Sequence, residues 1–149
     1  VDLFKRVNDA HGHLAGDLML REIARATGDT LRQPDLFGRF GGEEFIVFLP
    51  HADPLGALDA AERIRDRVAQ LSLEWKGQAV RATVSVGVAA LDLSHDSLAE
   101  LIHDADQALY AAKDAGRNCV RTVPPQHVSW GTAREVSLGA VPHRRSGAA

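Results

Sequence analysis

The sequence has 149 residues, of which 45% are hydrophobic and 25% are charged, and its formal net charge is -3. This composition is typical of one water-soluble domain with enough chain to bury a core. The negative net charge argues against a nucleic-acid-binding protein, because such a protein would need a basic surface.

The cysteine content and the hydropathy pattern indicate where the chain works. The one cysteine, Cys119, excludes a disulfide within the chain and fits a reducing compartment. No apolar run reaches the length of about 20 residues that spans a bilayer. We therefore expect a cytoplasmic domain, and any membrane anchor of the parent protein would precede it.

Residues 3–31 are predicted to form two helices joined by a glycine-bracketed turn. The first helix starts at Leu3 and ends before Gly12. Asp17 is of a residue type that caps helix N-termini. Apolar residues recur after it at helical spacing: Leu20, Ile23, Ala24, Thr27 and Leu31. This helix should stop near Pro34, because proline disfavours α geometry in the residue before it.

The next segment predicts a β-hairpin. Residues 36–40 and 45–49 have strand character, and the Gly41-Gly42 pair between them suits a tight turn. Glu43 and Glu44 at the exit of the turn repel each other unless a cation lies beside them. The alternative is an ordinary hairpin turn whose two carboxylates are simply solvated.

Two long helices and further strands are predicted after the hairpin. Apolar spacing favours a helix over residues 57–71, and residues 75–78 are predicted to be a turn between strands. Alternation of apolar and other residues favours a half-buried strand over residues 80–88. A third long helix over residues 98–112 follows, and a short strand over residues 119–123 closes the domain.

The limits of that last helix and of the domain also have sequence signals. Asp96 or Ser97 suits the start of the helix, and Gly116 suits the position just after its end. Residues 124–149 lack sustained periodicity, so we expect a domain over residues 1–123 and a flexible C-terminal tail. Because Val1 stands directly before a predicted helix, we expect that the first strand of the domain is missing.

Several motifs along residues 1–123 together resemble the GGDEF family of diguanylate cyclases, which are bacterial signalling domains. The motif residues are Lys5, Asn8, Asp9, Gly12, His13, Gly16 and Asp17, then residues 41–45 and 83–88, then Ala105, Asp106, Tyr110, Ala112, Lys113, Gly116, Arg117 and Asn118. The resemblance implies an α+β fold with a central, mostly antiparallel five-stranded sheet flanked by helices. This is the palm fold of nucleotidyl cyclases, with its first strand truncated here.

The resemblance also implies an activity. Enzymes of this family condense two GTP molecules into cyclic di-GMP and pyrophosphate, when the 3′-hydroxyl of one GTP attacks the α-phosphate of the other. Phosphoryl transfer of this kind needs cations near the developing oxygen charge. We therefore expect Mg²⁺ or Mn²⁺ as the cofactor, and Glu43, Glu44 and the Val1 carbonyl as its ligands.

The resemblance assigns the other site residues by position. Glu43 and Lys5 are the expected catalytic residues. The expected substrate-binding residues are Gly41 and Gly42 along the phosphates, Lys113 and Arg117 on the triphosphate, and Asn8, Asp17 and nearby His13 at the guanine. Amide and carboxylate groups can pair with the hydrogen-bonding edge of guanine. The alternatives are that Asn8 and Asp17 only terminate helices, and that Lys113 and Arg117 only complement a helix C-terminus.

Arg32 and Asp35 form an R-x-x-D motif that is separated from Gly41 by five residues, at the position of the family's inhibitory site. The resemblance implies that cyclic di-GMP binds there and slows its own synthesis, with Arg63 contributing from the next helix. Arginine suits this ligand because its planar group binds phosphate and stacks on bases. The alternative is an ion pair between Arg32 and Asp35, which would contribute little to stability.

One departure from the family leaves the activity open. The family has a metal-binding aspartate immediately before the position of Val1, outside this chain. We expect a cyclase that acts as a homodimer, since each domain holds one GTP, and that is controlled by an N-terminal sensory domain. The alternatives are an inactive module that binds GTP or cyclic di-GMP and regulates an attached partner, and a cyclase with another nucleotide product.

Overall fold

The computed structural model describes residues 1–123, which form four helices and six strands. The helices are α1 (Phe4–His11), α2 (His13–Gly28), α3 (Pro54–Ala69) and α4 (Leu98–Asp114). The strands are β1 (Leu36–Gly41), β2 (Glu44–Phe48), β3 (Leu73–Trp75), β4 (Gln78–Val80), β5 (Val86–Val88) and β6 (Val120–Thr122). No helix in this part of the chain is long and apolar enough to cross a membrane. The predicted tail over residues 124–149 lies outside the described residues.

The strands pair two by two, so the predicted five-stranded sheet is not confirmed. Strands β1 and β2 are antiparallel, β3 and β4 are antiparallel, and β5 and β6 are parallel. The first two residues link the hairpin to the segment before β5, because the Val1 amine donates to the Glu43 carbonyl and the Asp2 N–H to the Thr83 carbonyl, both at 2.9 Å. One hydrogen bond on each side does not make a continuous ladder.

The core lies between the helices and the short strands. Its most deeply buried large side chains are Met19 and Ile23 of α2, Val68 of α3 and Val80 of β4, each less than 2% exposed. Burying a side chain of this size contributes about 1.5–3 kcal/mol. The helical spacing in α2 and α3 therefore predicts the buried faces correctly, and the α+β class follows from helices packed on strands.

The start of α2 differs from the prediction. The helix begins at His13, and its N-cap is Gly12 with φ of 88°, a conformation that favours glycine. Asp17 therefore lies inside the helix, and its predicted N-cap role is wrong. The helix also ends earlier than expected, at Gly28. Gly16 continues the helix, so the two glycines that bracket the predicted turn have different conformations.

The predicted strand over residues 80–88 is divided in two. Residues 78–80 pair with β3 and residues 86–88 pair with β6, whereas residues 81–85 form no ladder. The alternation still marks burial, because Ala82 and Val84 in the unpaired segment lie in the core. The pattern thus reports which face is buried and not which residues find a strand partner.

The end of α4 agrees with the prediction that Gly116 follows the helix. Gly116 has φ of 107°, and its N–H donates to the Lys113 carbonyl at 3.4 Å, while the Arg117 N–H donates to the Ala112 carbonyl at 3.1 Å. This pair of bonds is the Schellman arrangement, which satisfies carbonyls that a helix end leaves free. At the other end, the Ser97 side chain accepts from the Glu100 N–H.

Gly87 of β5 allows α4 to approach the sheet closely, which gives a test of the packing. We expect Gly87→Ala to lower the free energy of unfolding by about 3 kcal/mol, the upper part of the usual cost of overpacking. The reason is that a Cβ atom at Gly87 would lie 2.1 Å from the Ala105 carbonyl oxygen and 2.3 Å from the Leu109 nitrogen. Chemical denaturation measures the change. Gly28→Ala is the matched control, because a Cβ there meets no described atom within 4 Å. Equal effects of the two substitutions would contradict this packing.

A histidine joins the β5–α4 connection to α4. His95 Nδ1 lies 3.0 Å from Asp92 Oδ1, and its Nε2 lies 3.2 Å from Asp104 Oδ2 on the helix. Burial of the ring acts to lower the pKa of His95, but the hydrogen bonds and charges of Asp104 and Asp92 outweigh it, so the pKa is raised. The protonated ring therefore stabilises the folded state.

This histidine predicts a pH-dependent stability. A group whose pKa is raised by folding stabilises fully below its unfolded pKa, about 6.5 for histidine, and the contribution is lost as pH rises through the folded pKa. We therefore expect His95→Gln to lower the melting temperature most near about pH 5 and least near about pH 8. Adding Asp104→Asn should weaken this pH dependence, since it removes one carboxylate. A constant difference between these pH values would contradict the assignment.

Candidate functional site

The turn between β1 and β2 presents two glycines to open space. Gly41 ends β1, Gly42 has φ of 24°, and a Cβ atom at either position would meet no described atom within 4 Å. The Arg39 side chain holds the turn, since its Nε donates to the Gly42 carbonyl at 2.8 Å and its terminal nitrogen donates to the same oxygen. The turn is therefore fixed from one side and open on the other, where an anionic ligand could approach its backbone.

The Val1 nitrogen lies beside the hairpin turn, where it donates to the Glu43 backbone carbonyl at 2.9 Å. Burial of the Val1 amino group lowers its pKa, while the charges of Asp2 and Glu43 act in the opposite direction. Lys113 at the end of α4 also lowers this pKa, and Glu44 raises it. Two of the predicted metal ligands, Val1 and Glu43, are neighbours through the 2.9 Å hydrogen bond between the Val1 nitrogen and the Glu43 backbone carbonyl.

Asn8 on α1 packs against the backbone of α2. Its Oδ1 is buried and has no hydrogen-bond partner among residues 1–123. A Cβ atom at Gly16 would lie 1.9 Å from this oxygen, so only glycine at that position lets the amide lie there. A buried amide oxygen without a partner costs free energy.

A cavity of about 400 Å³ lies between α2 and the hairpin. It is lined by Asp17, Leu20, Arg21, Ala24, Phe37, Gly38, Arg39 and Phe45. The rings of Phe37 and Phe45 stack with centroids 5.5 Å apart. A flat apolar wall beside Asp17 and two arginines suits an aromatic base joined to an anion. Sequence reasoning identified Asp17 but missed Arg21 and Arg39.

The turn after α4 carries Arg117 in an uncommon backbone conformation. Arg117 and Asn118 have φ of 67° and 45°, in the left-handed region that few residues other than glycine adopt. Arg65 of α3 donates to Asn118 Oδ1 at 3.1 Å. Arg65 thus holds the turn from α3, and the turn places Arg117 four residues after Lys113.

Asp2 is a buried acidic residue that the sequence analysis did not identify. Its carboxylate accepts from Thr83 Oγ1 at 2.8 Å, Ser85 Oγ at 2.6 Å and the Asn118 N–H at 3.0 Å. Burial acts to raise the pKa of Asp2, but these hydrogen bonds, that of Ser85 first, lower it below its ordinary value. The alternation of Thr83 and Ser85 opposite apolar residues is the one sequence signal that could have indicated a polar partner.

Two predicted site residues lie on exposed surfaces of the first two helices. Lys5 forms an ion pair with Asp9 at 2.9 Å, one helical turn along α1, and its side chain is 88% exposed. His13 is the exposed first residue of α2.

The predicted inhibitory-site residues lie outside the region around Val1. The Asp35 carboxylate accepts from the Arg32 backbone N–H at 3.0 Å, and the Asp35 N–H donates to the Arg32 carbonyl at 2.7 Å. Asp35 therefore closes a turn, and the alternative of a side-chain ion pair with Arg32 is not observed in the described residues. Arg63 is exposed on α3 and pairs with Asp59.

The protein oxygens at this site fit a divalent cation that is also coordinated by a bound phosphate compound. No group of three or more His, Cys, Asp or Glu side chains within residues 1–123 is placed to hold a metal ion. Two exposed carboxylates, Glu43 and Glu44, follow the glycine turn, and the Glu43 backbone lies beside Val1. Mg²⁺ is commonly bound by one or two carboxylates together with substrate phosphates and water. The chemistry of this site therefore fits Mg²⁺ or Mn²⁺ that binds with a polyphosphate.

Comparisons with known proteins show the family of the chain. Residues 1–119 match the family model described as diguanylate cyclase, GGDEF domain. Diguanylate cyclase A of Treponema denticola is 40% identical over 120 residues, which are 80% of this chain and 32% of the relative. The chain thus spans about a third of that relative's length.

Solved structures give the same result. The crystal structure of the diguanylate cyclase SiaD from Pseudomonas aeruginosa, in complex with its activator SiaC, is 44% identical with a TM-score of 0.77; the match covers 80% of this chain and 46% of that one. The GGDEF domain of DgcB from Caulobacter crescentus, in complex with c-di-GMP, is 34% identical with a TM-score of 0.76; the match covers 80% of this chain and 71% of that one. The chain therefore belongs to the GGDEF family of diguanylate cyclase domains.

Proposed function

We propose that this domain is a diguanylate cyclase that condenses two GTP molecules into cyclic di-GMP and pyrophosphate. The observation that carries the proposal is the open two-glycine turn, which leaves Glu43 and Glu44 exposed beside Val1, whose nitrogen donates to the Glu43 backbone carbonyl at 2.9 Å. Acidic and cationic groups together suit a triphosphate that arrives with a divalent cation, and family membership supports the same substrate.

The proposed chemistry is attack by the 3′-hydroxyl of one GTP on the α-phosphate of the other. Mg²⁺ or Mn²⁺, held by Glu43, Glu44 and the Val1 carbonyl, supplies positive charge to the phosphate oxygens. Glu43 accepts the proton of the attacking hydroxyl in this proposal. Lys113 and Arg117, with Lys5, balance the charge of the triphosphate and of the leaving pyrophosphate.

The guanine base binds between α1, α2 and the hairpin in this proposal. Asn8 and Asp17 pair with the base edge, and His13 lies at the rim. The cavity beside Asp17 and the buried, unpartnered Asn8 oxygen support this placement. An amide and a carboxylate discriminate guanine from adenine, because the N1 and N2 hydrogens of guanine need acceptors.

The product requires two domains. Each domain binds one GTP, and cyclic di-GMP has two-fold symmetry, so we propose that the active form is a homodimer. A cytoplasmic location of this domain and its control by an N-terminal sensory domain of the parent protein are part of the same proposal. The activator bound by SiaD supports regulation through partners in this family.

We also propose product inhibition through Arg32, Asp35 and Arg63. Arg32 is exposed beside a turn that Asp35 closes, and Arg63 is exposed on α3. Two guanidinium groups on the surface suit the phosphates and guanines of cyclic di-GMP. The c-di-GMP in the structure of the DgcB domain supports a binding role for that ligand.

The second candidate function is an inactive module that binds GTP or cyclic di-GMP and regulates an attached partner. The observation that favours it is that residues 1–123 hold no group of three metal-ligating side chains. A two-metal reaction with too few carboxylates would be severely slowed. Turnover distinguishes the two candidates.

Incubation of the full-length protein with GTP and Mg²⁺ tests the proposed reaction. We expect cyclic di-GMP and pyrophosphate, resolved by chromatography, from the unmodified protein. Glu43→Gln should lower kcat by at least about 100-fold and keep the melting temperature, because it removes one metal-binding charge from an exposed turn. Glu74→Gln, at an exposed position of β3, is the matched control and should keep full activity.

Absence of both products from the unmodified protein would eliminate the cyclase proposal. Tight binding of cyclic di-GMP without turnover would instead support the regulatory module. An unchanged rate for Glu43→Gln would remove that residue from the reaction.

Arg32→Ala tests the inhibitory site. We expect the concentration of cyclic di-GMP that halves the rate to rise by about tenfold or more, since a charge-assisted contact with phosphate is lost. The initial rate without product should not change. Arg67→Ala, at another exposed arginine of α3, is the control, and equal inhibition of all three proteins would contradict the assignment.

A further inference from the structure

The α4–β6 turn, made of Gly116, Arg117 and Asn118, is held at two points by distant parts of the chain. Its Asn118 N–H donates to Asp2 Oδ2 at 3.0 Å, and Asn118 Oδ1 accepts from Arg65 at 3.1 Å. These contacts are needed because Arg117 and Asn118, which lack the conformational freedom of glycine, both adopt the left-handed backbone conformation. Such conformations persist where the surrounding structure imposes them.

Asp2 also connects this turn to the hairpin. Its N–H donates to the Thr83 carbonyl, and its neighbour Val1 donates to the Glu43 carbonyl. The Asp2 residue is 6% exposed, and its two oxygens accept from three donors. The hairpin and the α4–β6 turn are therefore tied to one another through two consecutive residues.

We propose that Asp2 is a positioning residue that sets the location of Arg117 relative to Glu43, and thereby the affinity for the triphosphate. The inference rests on the proposed function, because it assigns to Arg117 a phosphate of GTP. Asp2 itself touches neither nucleotide nor metal. Its carboxylate is buried and already accepts from Thr83, Ser85 and Asn118.

The chemistry of the three donors predicts which substitutions matter. Asp2→Ala removes the acceptor of the Asn118 N–H and releases the turn. Asp2→Asn keeps an oxygen for Asn118, and the Ser85 hydroxyl can accept from the new amide N–H, since hydroxyls both donate and accept. If Asp2 acted through its negative charge instead, Asp2→Ala and Asp2→Asn would weaken GTP binding equally.

The test measures GTP binding and turnover in the full-length protein. We expect Asp2→Ala to raise KM for GTP by about tenfold or more, because small misplacement of a positioned group is costly. The Kd of a GTP analogue with a methylene group between its α- and β-phosphates should rise equally. Asp2→Asn should restore both values to within about threefold of the unmodified protein.

A double-substitution cycle separates positioning from general destabilisation. In an Arg117→Ala background, Asp2→Ala should raise KM no further, because the group that it positions is already absent. Asp53→Ala removes the N-cap of α3, where Asp53 accepts from the Gly56 N–H. This control should lower the melting temperature without changing KM.

Thr83→Val is a second variant in case Asp2→Ala does not fold. It removes one donor to the same Asp2 oxygen that binds Asn118, and should raise KM by about threefold, again only when Arg117 is present. The inference is overturned if folded Asp2→Ala and Thr83→Val keep the normal KM, if their effects persist without Arg117, or if Asp2→Asn is as damaging as Asp2→Ala. GTP binding by the unmodified protein with any of these results leaves the proposed function standing, whereas absence of GTP binding overturns both.

Discussion

The close contact between Gly87 and α4 is the packing constraint on which the candidate site depends. The backbone of the helix at Ala105 and Leu109 lies where a side chain at residue 87 would be. This contact fixes the distance of α4 from the β5–β6 pair, and therefore where the helix ends. Lys113 lies at that end of the helix and Arg117 lies in the α4–β6 turn after it. The contact at Gly87 therefore helps to determine where these two cations lie.

Electrostatics explains why the hairpin carboxylates need positive charge near them. Glu43 and Glu44 are adjacent carboxylates on an exposed turn, and alone they would repel a triphosphate. The turn itself holds one cation, since Arg39 donates to the Gly42 carbonyl directly before Glu43. A divalent cation would complete this balance, since Mg²⁺ binds both carboxylates and phosphates.

Two glycines illustrate how backbone space serves a ligand site. Gly16 lets the Asn8 amide lie against α2, at the cost of a buried oxygen without a partner in the described residues. Gly42 keeps its positive φ at the hairpin turn, where nothing within 4 Å would meet a side chain. In the first position the absent side chain admits a protein group, and in the second it leaves room for a ligand.

Local patterns in the sequence predict most of the helices and the hairpin. The period of apolar residues gives the buried faces of α2 and α3, and Ser97 and Gly116 give the limits of α4. The predicted start of α2 is wrong because the sequence does not distinguish Gly12 from Gly16, and of these two glycines only Gly12 has a positive φ. The acidic hairpin turn could also be predicted from the sequence, because its residues are consecutive.

The sequence by itself thus determined the helices, the hairpin, the family resemblance and the residue types of the site. Only the tertiary structure decided which strands pair, that residues 81–85 form no ladder, and that Asp2 joins Thr83, Ser85 and Asn118. The physical reason is the separation along the chain between the residues that interact. Periodicity and capping depend on neighbours within a few residues, whereas Asp2 and Asn118 are separated by 116 positions and meet only when α4 has packed on β5.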